Sequence, residues 1–135
     1  MFQDPIWQEK NRQVAEGAPQ AMPLAKQYGV KILWRTDVFF GDDAFQNFRR
    51  EFVYRDDVFT PSGQIQQVTG NNGEVLGLSG WKNPYPHGAL GVIAEGAYAD
   101  ILLIDGDPTQ DIRLLMDEGN IDLIMKDGVI YKEDL

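Results

Sequence analysis

The sequence predicts an α/β fold, and three observations carry that prediction. A helical pattern over residues 5 to 28 runs into Gly29 and then into an alternating segment, Val30 to Arg35. Thr60-Pro61 has the form of a helix start, with an N-cap threonine and proline at the first helical position. Near the C-terminus, Asp127-Gly128 separates two β-rich runs, and both residues tolerate the positive φ of a tight hairpin turn.

The elements follow in order. Ile6, Val14, Met22, Leu24, Ala25 and Tyr28 supply apolar positions for the first helix, with a break expected near Gly17 to Pro19. Gly29 suits the left-handed residue that closes a helix. Val30, Ile32 and Trp34 would share one face of the strand, and Lys31, Leu33 and Arg35 the other. Asp42 or Asp43 could cap a helix over roughly 44 to 55. The helix opened by Thr60-Pro61 runs to about Leu76, weakened by Gly63, Gly70 and Gly73 at about 1 kcal/mol each relative to alanine. Residues 79–91 are loop-like, with Pro84 and Pro86. The apolar run Ala99 to Asp105 suits a buried strand, and Ile121 to Lys126 and Val129 to Lys132 form the hairpin. These elements divide into residues 1–78, which are α/β, and residues 79–135, which are mostly short strands.

Composition excludes several classes. The 135 residues are 43% apolar, enough for one domain with a core and too many for a disordered chain. The net charge is −9, so a phosphate backbone is repelled and nucleic acid is not expected as a partner. No apolar run approaches the roughly 18 residues of a membrane span, and no basic amphipathic stretch suits a membrane surface. The chain has no cysteine, which removes disulfides, thiolate metal sites and cysteine nucleophiles, and leaves the cellular compartment unread.

Few residues can carry chemistry. Asp37 follows the end of the expected strand, where parallel α/β folds and barrels place their active sites. A carboxylate there can bind a metal or move a proton, or simply cap a turn. His87 is the only histidine and sits in the loop PYPHG, where a solvated side chain is expected. A catalytic zinc takes about three protein ligands, and His87 with scattered carboxylates makes no such motif. No G-x-S-x-G elbow supports a serine triad. Asp100, Asp105, Asp107 and Asp111 do not have calcium-loop spacing and read as strand-end and turn residues. Trp34, Trp81 and Tyr85 read as packing residues.

Taken together, the segments resemble the amidohydrolase superfamily, most of all its imidazolonepropionase-like and Xaa-Pro dipeptidase-like members. AKQYGVKILWRTD (25–37) resembles the helix–strand unit that ends in Gly-Thr-Asp at barrel strand eight. FTPSGQIQQVTGNNGEVLGLSG (59–80) resembles the helix that follows. NPYPHGALGVIAEGAYADILLIDGDPTQDIRLL (83–115) and IMKDGVIYKEDL (124–135) resemble the return into the family's small β-sandwich.

The resemblance implies a C-terminal piece of a (β/α)8 barrel, holding the last strand and helices, joined to the C-terminal strands of a small β-sandwich. It implies that Asp37 is the strand-eight aspartate, a ligand of zinc or another divalent metal that also relays a proton from the activated water. The parent reaction would be hydrolysis of an amide or peptide C–N bond. The family's His-x-His, lysine and two further histidines have no counterpart here and would lie upstream of Met1. Arg35 stands where the family has glycine, and on a strand it would share a face with Asp37 and could pair with it. These departures favour a fragment or degenerate hydrolase that binds no zinc and is inactive alone. Such a chain would pair with an N-terminal barrel portion or with itself. The alternative is a stand-alone, non-catalytic α+β module acting through self-association or a partner chain.

Overall fold

The computed structural model describes residues 4–36 and 48–135. The chain forms two compact units, one ending at Ile32 and one running from Leu33. Its helices and three-stranded antiparallel sheet make an α/β fold.

The first unit is built on helix α1 (Pro5–Gln27). The Asp4 carboxylate accepts from the Ile6 N–H at 2.8 Å, and Pro5 sits where its missing N–H costs nothing. Gly29, at φ 63°, closes the helix. The Gly29 N–H donates to Lys26 at 3.2 Å and the Val30 N–H to Ala25 at 2.9 Å, which is a Schellman ending. The expected break at Gly17 to Pro19 is absent, because the helix passes continuously through Pro19 and Pro23. Proline at these positions frees the carbonyls of Ala15 and Pro19, and both residues are exposed, where such groups are open to solvent. Arg12 bridges Glu9 and Glu16 at 2.7 and 2.6 Å along the polar side. Ile6, Trp7, Val14 and Leu24 are all exposed.

The strand expected at 30–35 does not form, since these residues belong to none of the described strands. Alternation alone is not enough, since a strand also needs a partner ladder. A 3-10 turn (Phe48–Arg50) leads into α2 (Glu51–Arg55). The expected cap at Asp42 or Asp43 and the start of that helix lie outside the described residues. The Thr60 hydroxyl caps the next helix, accepting from the Gly63 N–H at 3.2 Å. This helix comprises α3 (Pro61–Gln66), a π turn (Gln67–Asn71) and α4 (Asn72–Gly77), all joined through helical dihedrals.

Strand β1 (Ile101–Ile104) pairs antiparallel with β2 (Ile121–Lys126), and β2 pairs with β3 (Val129–Glu133). Asp127 and Gly128 turn the hairpin at φ 50° and 76°, as expected. Asp100 secures that turn, its carboxylate accepting from the Asp127 N–H at 2.7 Å. The expectation of a buried β1 fails: Leu102 and Leu103 are 52% and 43% exposed, because β1 is an edge strand of a small sheet. The core gathers Ile121 and Leu123 of β2, Phe52 of α2, and Ile112 from a 3-10 segment (Ile112–Met116).

Candidate active site

The segment that leads into Asp37 is held by side chains. The Asn72 carboxamide meets the Trp34 backbone at both of its polar groups. The Trp34 N–H donates to Asn72 Oδ1 at 3.1 Å, and Asn72 Nδ2 donates to the Trp34 carbonyl at 3.0 Å. One residue earlier, Arg55 Nη1 donates to the Leu33 carbonyl at 3.1 Å. The Trp34 ring packs between Phe52 and Phe48, with centroids 5.0 and 5.7 Å away. Core packing of Trp34 is therefore as expected.

Arg55 is only 3% exposed. It donates through Nε to Glu51 at 2.8 Å and through Nη1 to Gln67 Oε1 at 2.7 Å. A buried guanidinium is tolerable only when paired and hydrogen-bonded in this way. Gln64 is fully buried and donates to Asp56 at 3.0 Å, and Asp56 in turn pairs with Arg113 at 2.7 Å. Gln64 Oε1 and the Trp34 indole nitrogen are buried without hydrogen-bond partners.

Asp37, the residue singled out from sequence, lies outside the described residues, and so does any pairing with Arg35. Arg35 itself is exposed. His87 is exposed in its loop, as expected, and borders an open groove of about 290 Å³ with Gly88, Tyr98 and Asp127. Asp100, Asp107 and Asp111 of the acidic series cap turns, as expected. Asp107 accepts from the Thr109 N–H and hydroxyl at 2.9 and 2.6 Å, and Asp111 from the Arg113 N–H at 3.0 Å. Tyr85 packs edge-on against Tyr98 at 5.4 Å. Trp81 departs from expectation: it is 91% exposed, with the Lys82 ammonium 5.3 Å from its ring centre.

Among the described residues, no three His, Cys, Asp or Glu side chains come together as a metal site would require. Asp56 pairs with Arg113, and the carboxylates of Asp100, Asp107, Asp111 and Asp117 accept from nearby backbone N–H groups, so the described residues by themselves offer no ligand set for a catalytic divalent metal. No described helix is long and apolar enough to cross a membrane.

Sequence reasoning missed Arg55, Gln64, Gln67 and Asn72. The available signal was Gln64 and Gln67, one helical turn apart with apolar Ile65 and Val68 beside them, on a stretch otherwise read as an ordinary helix.

The comparisons fit this fold. The Amidohydrolase family profile matches residues 8–131. A crystal structure of an amidohydrolase aligns with a TM-score of 0.72 and 32% identity, covering 86% of this chain and 26% of that one. A crystal structure of a prolidase complexed with N-methylphosphonate-L-proline aligns with a TM-score of 0.75 and 26% identity, covering 96% of this chain and 30% of that one. No curated protein matches. The chain belongs to the amidohydrolase family, a family of hydrolases that act on amide substrates and generally use divalent metals. It spans less than a third of the length of these solved relatives.

Proposed function

We propose that this chain is the C-terminal portion of a metal-dependent amidohydrolase that cleaves an amide or peptide C–N bond. It would contribute the last barrel strand and helices through residue 78 and sandwich strands from residue 79. One observation carries the reading: the family match runs almost from end to end of this chain, yet this chain covers only 26% and 30% of its solved relatives. The prolidase among those relatives supports a peptide bond as the substrate.

In this reading Asp37 is the one site residue the chain supplies. Residues 30–35 would be barrel strand eight, although among the described residues they are assigned to no strand here. The other metal ligands come from the remaining barrel portion. Zinc is the metal proposed for the assembled site, and the purified chain alone holds none and does not hydrolyse amides.

Metal analysis after dialysis, with and without His87→Ala, tests the first part. About one zinc retained per chain in both forms would overturn it. Asp37→Asn in the hydrolase assembled with its barrel portion tests the second. Turnover is expected to vanish, and a rate above about a tenth of the starting value would make Asp37 a turn residue only. Codons for a His-x-His and further histidines within roughly 300 codons upstream would support the reading. A stop codon and promoter there would favour the stand-alone module.

A further inference from the structure

We propose that Asn72 and Arg55 are positioning residues, whose side chains stand in for a neighbouring strand along Leu33 and Trp34 and so hold the segment that leads into Asp37. The proposal rests on the reading of Asp37 given above.

Three consecutive backbone groups are involved: the Leu33 carbonyl, the Trp34 N–H and the Trp34 carbonyl. Each meets a side chain from the helices of the same unit. The Asn72 carboxamide offers one donor and one acceptor side by side, as a peptide group does. Its reciprocal bonds to Trp34 copy the exchange between directly opposed residues in an antiparallel ladder. Aspartate could accept but not donate, and leucine could do neither. The π turn supports this placement, since its extra residue resets the helical register just before Asn72.

Arg55 is held in its turn. Glu51 and Gln67 fix the guanidinium, and burial makes any unpaired orientation costly. Phe48 and Phe52 fix the Trp34 ring. Trp34 is therefore pinned by its ring and by both polar groups of its backbone. Asp37 follows three residues later, and each residue spans at most about 3.6 Å, so a slip at Trp34 is passed along a short leash.

The test has two readouts. Amide hydrogen exchange of Trp34 is measured in this chain with Asn72→Leu, Asn72→Asp and Asn72→Gln. Exchange is expected to rise about tenfold in the leucine variant, less in the aspartate variant, and least in glutamine, which keeps both functions. In the assembled hydrolase, Asn72→Asp is expected to lower kcat by about tenfold with KM unchanged within about twofold. Should Asn72→Leu fail to fold, Asn72→Ala, which also removes the acceptor, carries the exchange measurement and Asn72→Asp the kinetic one. Unchanged Trp34 exchange in the leucine variant, or in the alanine variant where leucine does not fold, overturns the clamp. Faster exchange with kcat unchanged, in an enzyme that Asp37→Asn inactivates, overturns the positioning role. Retained turnover in Asp37→Asn overturns the family-site reading instead, and with it the catalytic purpose of the clamp.

Discussion

At Gly73 a β-carbon would lie 2.1 Å from the carbonyl oxygen of Leu90, so the helix and the loop that crosses it touch backbone to backbone. The contact extends to a second glycine. A β-carbon on Gly91 would lie 2.3 Å from the Thr69 carbonyl, and Gly91 also sits at φ 70°. The helix glycines that look like weaknesses in a propensity ledger are the condition for this close approach.

Gly73→Ala and Gly91→Ala are each expected to destabilise the chain by more than about 2 kcal/mol, since backbone on both sides must move. Gly77→Ala is the control, because its β-carbon meets nothing within 4 Å. It should be neutral or stabilising by up to about 1 kcal/mol. Urea melts compare the three, and equal midpoints for Gly73→Ala and Gly77→Ala would remove the packing argument.

Arg55→Met tests the buried polar cluster. Truncation strands Glu51, Gln67 Oε1 and the Leu33 carbonyl together. A loss of about 3 kcal/mol is expected, the range for breaking a buried pair from one side. A loss under about 1 kcal/mol would mean that water replaces the guanidinium.

The Asp107 carboxyl is held below its ordinary value of 3.8, first by the Thr109 hydroxyl and then by the Thr109 N–H. A folded pKa below the unfolded one adds stability above the ordinary carboxylate range, and that stability disappears as pH falls through the lowered value. Wild type should therefore melt above Asp107→Ala near neutrality, and the gap should close on acidification below the ordinary range. A gap that is constant with pH would show that the contribution is not from the charge.

The outer edges of β1 and β3 join no other described strand, and Val129, Ile130 and Tyr131 are exposed on β3. The purified chain is expected to self-associate, because apolar surface of this kind favours burial at about 25 cal/mol per Å². Light scattering over a dilution series measures it. A mass of 15.2 kDa at every concentration would show that the chain needs no second copy.

What could be read from the sequence was local. Asp127-Gly128 needs only its own dihedrals to turn, and Thr60-Pro61 and Gly29 cap helices with atoms a few residues away. What could not be read depends on distant partners. The alternation at 30–35 matches a strand, but the groups facing Trp34 belong to Asn72, 38 positions on. Arg55 and Gln67 look like surface residues until the fold places them against each other. Pro19 and Pro23 break helices in isolation, yet α1 keeps them on an exposed stretch. Asp37 was singled out first by its place after an expected strand and then by family resemblance, and it lies outside the described residues, whereas nothing in the sequence pointed to the bonds between Asn72 and the Trp34 backbone.

The Asn72 side chain is followed in the chain by Gly73, and this sets how the protein ages. Asparagine before glycine is chemically fragile: with no β-carbon in the way, the glycine nitrogen can attack the side-chain carbonyl and expel ammonia. The product of that displacement is a cyclic succinimide, which water opens to aspartate or isoaspartate. Here both residues lie in helical backbone, and both ends of the amide are held by Trp34, so the damage waits on local opening of that helix. Each opening risks an irreversible gain of one negative charge at the position that must donate to the Trp34 carbonyl. The slow rise of an acidic species in a stored sample becomes a clock for motions too rare to see in any static structure.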